Sequence, residues 1–177
     1  GEYWTKAQLR MSKIQVQQGR LEEVRENMQS LRRNDPDNAV EIYLIEGQIL
    51  SDLTLYNEAW QLYDQALAVH VDNEDLLYSR ALTSEKIDRI DLAEKDMRRI
   101  LVLDPENVRA LNALGYTLAD RTDRYEEAFS YIQQAYDRKP DDPAIIDSMG
   151  WVHYRLGNLE KARGYLQQAW DMTGDGE

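Results

Sequence analysis

The sequence predicts an all-α fold, five helix-turn-helix repeats amounting to about ten helices in one array. Three observations carry this. Leu111, Leu114, Gly115 and Leu118 recur in spacing as Ile146, Met149, Gly150 and His153, with 35 residues separating the two glycines. Two rows of small residues repeat at about that interval: Ser12, Gly47, Ala81, Gly115 and Gly150 form one, and Val24, Ala59, Ala93, Ala128 and Ala162 the other, where only Val24 is larger. The 177 residues also include just nine glycines and four prolines, and strand-like alternation is absent over any useful length.

Counting back from the glycines places the units at about 5–39, 40–73, 74–107, 108–142 and 143–172, in a single domain covering 1–177. In the first, Trp4 to Gln18 reads as a helix, Gly19 reverses the chain, and Leu21 to Arg33 forms the second helix. Asn34-Asp35-Pro36-Asp37-Asn38 then turns, because Asn and Asp tolerate bent backbone and proline ends a helix. Pro105 and Pro140 close later units, whereas Val71 stands at that point in the second. In the fourth unit Ala128 arrives one residue late, so an extra residue lies in the glycine-free turn Asp120–Arg124. Missing glycine is not a full account, since the turns at Thr54 and Asp88 lack it without any insertion. Pro143 opens the fifth unit, where its absent N–H costs little.

The rows of small residues, the Leu114-Gly115 and Met149-Gly150 pairs and the closing prolines resemble the tetratricopeptide repeat (TPR) family over nearly the whole chain. A glycine inside a helix costs roughly 1 kcal/mol relative to alanine, so Gly47, Gly115 and Gly150 imply close approach of the paired helix. The resemblance implies a right-handed solenoid whose first helices line a concave groove. Helical periodicity puts the corresponding offsets on one side of each first helix. Lys6 and Leu9 fall there in the first unit, Gln48 and Ser51 in the second, and Tyr78, Leu82 and Lys86 in the third. The fourth supplies Arg109, Asn112 and Tyr116, and the fifth Asp147, Trp151, Tyr154 and Arg155. The expected partner-binding residues are Tyr78, Leu82, Arg109, Asn112, Tyr116, Asp147, Trp151, Tyr154 and Arg155, because amphipathic rings beside Arg and Asn have the composition of protein interfaces. The same rings also suit packing between neighbouring first helices. The Lys/Asn carboxylate clamp of chaperone-binding TPR domains has no counterpart in any three successive units.

Composition narrows the function classes. A net charge of −12 without a Lys/Arg cluster disfavours nucleic acid and anionic membrane surfaces. There is no apolar run near the ~20 residues needed to span a bilayer, so this segment is not expected to insert directly. No cysteine is present, which removes disulfides and thiolate chemistry but leaves the compartment open. Neither His70 nor His153 belongs to a metal motif, and His153 falls on an inward-packing row. Asp72-Asn73-Glu74-Asp75 lacks the glycine and terminal glutamate of a calcium loop. Glu22-Glu23 and Glu126-Glu127 lie about 100° apart around a helix, which suits first-turn acids interacting with the helix dipole. The expectation is no enzyme, no cofactor and no metal.

Two runs are more specific than the TPR pattern: Leu114 to Thr122, and Asp141 to Trp151. They are similar to the C-terminal repeats of Gram-negative TPR lipoproteins, among them an outer-membrane adaptor of a periplasmic carboxyl-terminal processing protease that acts on cell-wall hydrolases. The resemblance implies a protein-interaction scaffold that binds a protein or peptide segment, held at the periplasmic face of the outer membrane by a lipid anchor outside this segment. A cytoplasmic TPR adaptor is the alternative. The chain reads as a segment of a longer protein.

Overall fold

The computed structural model describes residues 2–174, with side chains for residues 7, 8 and 10–174. Lys6 and Leu9, expected on the first-helix face, therefore lie outside the described side chains. Among the described residues there are ten α-helices and no strand, so the fold is all-α. The chain forms two compact units, Gly1–Arg89 and Ile90–Glu177. The first holds α1 (Glu2–Gln17), α2 (Leu21–Asn34), α3 (Ala39–Asp52), α4 (Tyr56–Val69) and α5 (Glu74–Lys86), with one short 3-10 turn, Pro36–Asn38, before α3. The second holds α6 (Ile90–Leu103), α7 (Val108–Arg121), α8 (Tyr125–Arg138), α9 (Pro143–Arg155) and α10 (Leu159–Thr173).

Each unit buries the apolar rows of its helices. In the first, Val24 and Met28 of α2 meet Ile42, Ile45 and Ile49 of α3, with Val16, Leu31 and Leu53 at the margin. In the second, Leu111 of α7, Ala135 of α8 and Ile145 of α9 form one cluster, flanked by Leu101, Val108, Tyr131 and Tyr136. The first helices α5, α7 and α9 start on side-chain caps that the loops supply, whereas α3 has none. Asn73 Oδ1 accepts from Leu76 N at 3.0 Å, Asn107 Oδ1 from Ala110 N at 3.0 Å, and Asp142 Oδ1 from Ala144 N at 2.9 Å. Pro143 sits just inside this last cap, as its fixed φ favours.

The small residues mark close approach of paired helices. A Cβ on Gly115 would stand 2.5 Å from Ile132 Cγ1 and 2.9 Å from the Ala128 carbonyl oxygen; one on Gly150 would stand 2.6 Å from Leu166 Cγ. One on Gly47 would clash with the tip of the Tyr63 ring, 2.2 Å from both Cζ and the hydroxyl oxygen.

The turns explain the added residue in the fourth hairpin. Gly19, Thr54, Asp88 and Gly157 all take positive φ, between 60° and 78°. In each case the next amide closes a helix-ending bond to the carbonyl five residues back: Arg20 to Gln15, Leu55 to Leu50, Arg89 to Ser84 and Asn158 to His153. Glycine is thus replaceable in this turn, at the cost of holding Thr54 and Asp88 left-handed. The fourth hairpin abandons the left-handed step. Thr122 is extended at φ −139°, its hydroxyl donates to the Leu118 carbonyl at 2.6 Å, and Arg124 N donates to Thr122 Oγ1 at 3.1 Å. The extra residue gives the chain room to reverse without positive φ.

Two stability outcomes are expected. Gly115→Ala presses a methyl onto backbone and should lower stability by about 1–2 kcal/mol net of helix propensity, whereas Gly164→Ala, with open space around it, should gain up to about 1 kcal/mol. Urea midpoints of the two variants check this. Thr54→Gly relieves a β-branched residue at φ 60° and should gain up to about 1 kcal/mol, more than Asp88→Gly, because Asp tolerates this region better. Thermal melts would rank the pair.

Candidate functional site

In the second unit, Leu111, Leu114 and Leu118 of α7 and Ile145, Ile146, Met149 and His153 of α9 are buried. The remaining side of these two helices carries the candidate residues. Tyr116 is 40% exposed and Tyr154 52% exposed, Arg109 and Asp147 are exposed, and Asn112, Trp151 and Arg155 are half-buried. Trp151 stacks on Tyr154, with ring centroids 5.4 Å apart and planes 27° from parallel. Arg155 lies 5.8 Å over the Trp151 ring and 4.7 Å over Tyr125. Its Nη2 donates to the Tyr125 hydroxyl at 2.7 Å and its Nη1 to the Asp120 carbonyl at 3.4 Å. Arg155 thus ties the end of α9 to the preceding hairpin while flanking the ring pair.

The structure does not gather all of these residues into one cluster. Asp147 lines a different cavity, with Pro143, Leu166 and Trp170, and Tyr154 borders a further one with Leu159 and Trp170. Two buried polar atoms on this face have no hydrogen-bond partner: Trp151 Nε1 and Asn112 Oδ1.

Tyr78 and Leu82 belong to the first unit, on α5. Leu82 borders a cavity of about 150 Å³ between α3 and α5, with α4 at its floor; Gln48, Ser51, Tyr56, Tyr63, Ser79, Thr83 and Lys86 complete the lining. Sequence reasoning missed the floor. Tyr63 was not singled out, yet its ring packs on Gly47 and it lines the cavity together with Ser79 of the next first helix. Burial pushes the Tyr63 hydroxyl up to about 12, so it remains protonated at neutral pH. The available signal was that Tyr63 is the polar member of the row Met28, Tyr63, Met97, Ile132 and Leu166, opposite a glycine.

Charge on the second helices is organised into bridges between neighbouring hairpins. Arg98 donates to Glu94 at 2.7 Å, to Glu127 at 2.7 Å and to the Tyr131 hydroxyl at 2.8 Å, and Arg124 reaches both Glu94 and Glu127. Arg98 and then Arg124 hold the Glu127 carboxyl below the usual carboxylate range. In the first unit Arg25 bridges to Glu58, and the largely buried Arg32 pairs with Glu46 while lying 4.3 Å over the Tyr43 ring. These acids are engaged in ion pairs. Among the described residues no group of His, Asp or Glu is placed to hold a metal ion, and no helix is long and apolar enough to cross a membrane. His153 is buried, stacked on Tyr165 with centroids 5.6 Å apart and packed on Phe129 at 5.2 Å. Burial, with the nearby Lys161 charge, lowers its affinity for a proton.

Comparisons agree on the architecture. Tetratricopeptide repeat profiles match residues 78–143 and 144–174. A TPR repeat-containing protein of Pseudomonas aeruginosa is 42% identical over the whole of this chain, which spans 30% of that relative's length. Bacteriophage adsorption protein A of Escherichia coli is 30% identical over half of this chain and 9% of its own length. MamA from Desulfovibrio magneticus superposes with a TM-score of 0.73 at 19% identity, covering 98% of this chain and 97% of that one. YrrB, described as a TPR protein with an unusual peptide-binding site, superposes at 0.68 with 22% identity, covering 96% and 86%. At these identities the solved structures speak for the fold.

Acid should destabilise the chain in two steps. His153 has a lowered proton affinity in the fold, so its contribution is complete above its ordinary value of 6.5 and is lost as pH falls through that value toward the lower folded one. Glu127 follows the same sign below its ordinary value of 4.5. Thermal melts across the two windows should fall in both, and His153→Phe, which keeps a ring between Phe129 and Tyr165, should flatten the upper window alone.

Proposed function

Because the chain belongs to the tetratricopeptide-repeat family, we propose that it is a non-enzymatic scaffold that binds a protein or peptide segment along its first-helix face. The family's general role is protein–protein interaction. The observation that carries the reading is the ring-bearing face of α7 and α9: Tyr116 and Tyr154 are exposed, and the half-buried Trp151 stacks on Tyr154 with Arg155 over its ring. Large amphipathic rings supported from behind by a buried core give contact area at a low entropic cost.

The finer reading is a periplasmic adaptor for a protease and its cell-wall hydrolase substrates, tethered to the outer membrane by a lipid anchor. It is supported by the similarity of Leu114–Thr122 and Asp141–Trp151 to TPR lipoproteins of that class.

Co-purification of the tagged protein from its native host, with mass spectrometry of what is retained, tests both levels. Trp151→Ala and Tyr116→Ala should each weaken retention of the partner by about tenfold or more, as truncated interface rings do. Unchanged retention in both folded variants removes the first-helix face from the function. A retained protease or hydrolase supports the adaptor reading, and retention solely of a cytoplasmic complex overturns it.

A further inference from the structure

We propose that the cavity between α3 and α5 is a pocket for an acidic side chain, Asp or Glu, of a peptide lying along the first-helix face; this rests on the reading of that face as peptide-binding. The pocket is a built feature of the first unit. Gly47 leaves space for the Tyr63 ring to pass between two first helices, and Tyr63, 4% exposed, brings a hydroxyl to the floor of a cavity of about 150 Å³. At the same place in their own hairpins the other second helices carry Met28, Met97, Ile132 and Leu166, which have no hydroxyl to offer.

The lining is rich in donors. Tyr63 of α4 and Ser79 of α5 each line the cavity and carry a hydroxyl able to donate to a ligand. Ser51 and Tyr56 add hydroxyls from α3 and α4. Lys86, in the last turn of α5, adds an ammonium group that no ion pair engages among the described residues. Gln48 and Leu82 complete the rim, and the Gln48 amide is already donating to Asp52 at 2.7 Å. Donors in excess of acceptors, with one positive charge at the mouth, select a carboxylate over an amide or an ammonium group.

The acidity of the whole chain does not oppose this. Exposed charges act over about 8 Å at physiological salt, and Asp52, the acid beside Gln48, is held by Lys13 at 2.8 Å with its carboxyl below the usual range.

The test is to pan a phage-displayed library of random peptides against the protein, synthesise the enriched peptides, and measure their binding to the wild type and to Lys86→Met, with the fold of each checked by circular dichroism. Lys86 is exposed at a helix end, so its replacement leaves the core untouched. Enriched peptides should share an Asp or Glu whose change to Asn or Gln weakens wild-type binding by about tenfold, while Lys86→Met should no longer distinguish the two peptides. An acid-to-amide change that costs the same in both proteins, or a consensus without an acid, overturns the pocket. Peptides that are lost with Trp151→Ala but ignore Lys86→Met overturn the pocket and leave the proposed function standing. A library that enriches nothing overturns both.

Discussion

At Gly115 the backbone of α7 lies so near α8 that an added methyl would stand 2.9 Å from the Ala128 carbonyl oxygen. This close approach is the constraint on which each unit depends. It lets Leu111, Leu114 and Leu118 reach full burial at about 1.5–3 kcal/mol apiece, although a glycine in mid-helix costs roughly 1 kcal/mol. Widening the gap by one methyl loosens the contacts of the whole row, because close-packed interiors have no slack to absorb it. Gly47 and Gly150 set the same spacing in their own hairpins, against a tyrosine and a leucine.

Once that spacing is set, the exposed sides of the two helix types take up different work. The second helices and the loops at their ends carry a ladder of ion pairs, Arg98 and Arg124 with Glu94 and Glu127, and Arg138 with Glu106, between residues about one repeat apart. Exposed pairs of this sort contribute about 0–1 kcal/mol each, so they fix alignment between hairpins more than they hold the hairpins together. The first helices instead expose rings, Tyr116 of α7 and Tyr154 of α9.

Much of the fold was legible because its signal is periodic. The glycine spacing, the rows of small residues and the Asn/Asp-Pro joints each report a backbone requirement, and backbone requirements tolerate few residue types. The turn chemistry was only half legible: Gly19 and Gly157 announce a left-handed residue, but Thr54 and Asp88 adopt the same conformation without announcing it. The extended Thr122 explains the insertion only once its hydroxyl bond to Leu118 is visible. At the candidate site, the offsets of a helix indicate which residues share a side, and Tyr116 and Tyr154 are indeed exposed. They do not indicate which neighbours claim a side chain. Arg155 is taken up by Tyr125 and Asp120, and Asp147 opens toward Leu166 and Trp170. The Tyr63 hydroxyl was hidden because an aromatic ring opposite a helix glycine reads as packing, whatever atom lies at its tip.

The Gly47–Tyr63–Ser79 arrangement also bears on how such an array can change. Repeats built to one pattern invite the view that any hairpin can be duplicated, deleted or exchanged for another. Here α4 brings the Tyr63 hydroxyl to a cavity that the next first helix lines with the Ser79 hydroxyl, and only some successors supply one. At the place of Ser79, α7 carries Ala113 and α9 carries Ser148. A recombination that put the second hairpin directly before α7 would set a methyl group, Ala113, where the cavity has the Ser79 hydroxyl. The hairpins are therefore ordered: each inherits a requirement from its predecessor, and the array is constrained in sequence as a sentence is, by agreement between neighbours.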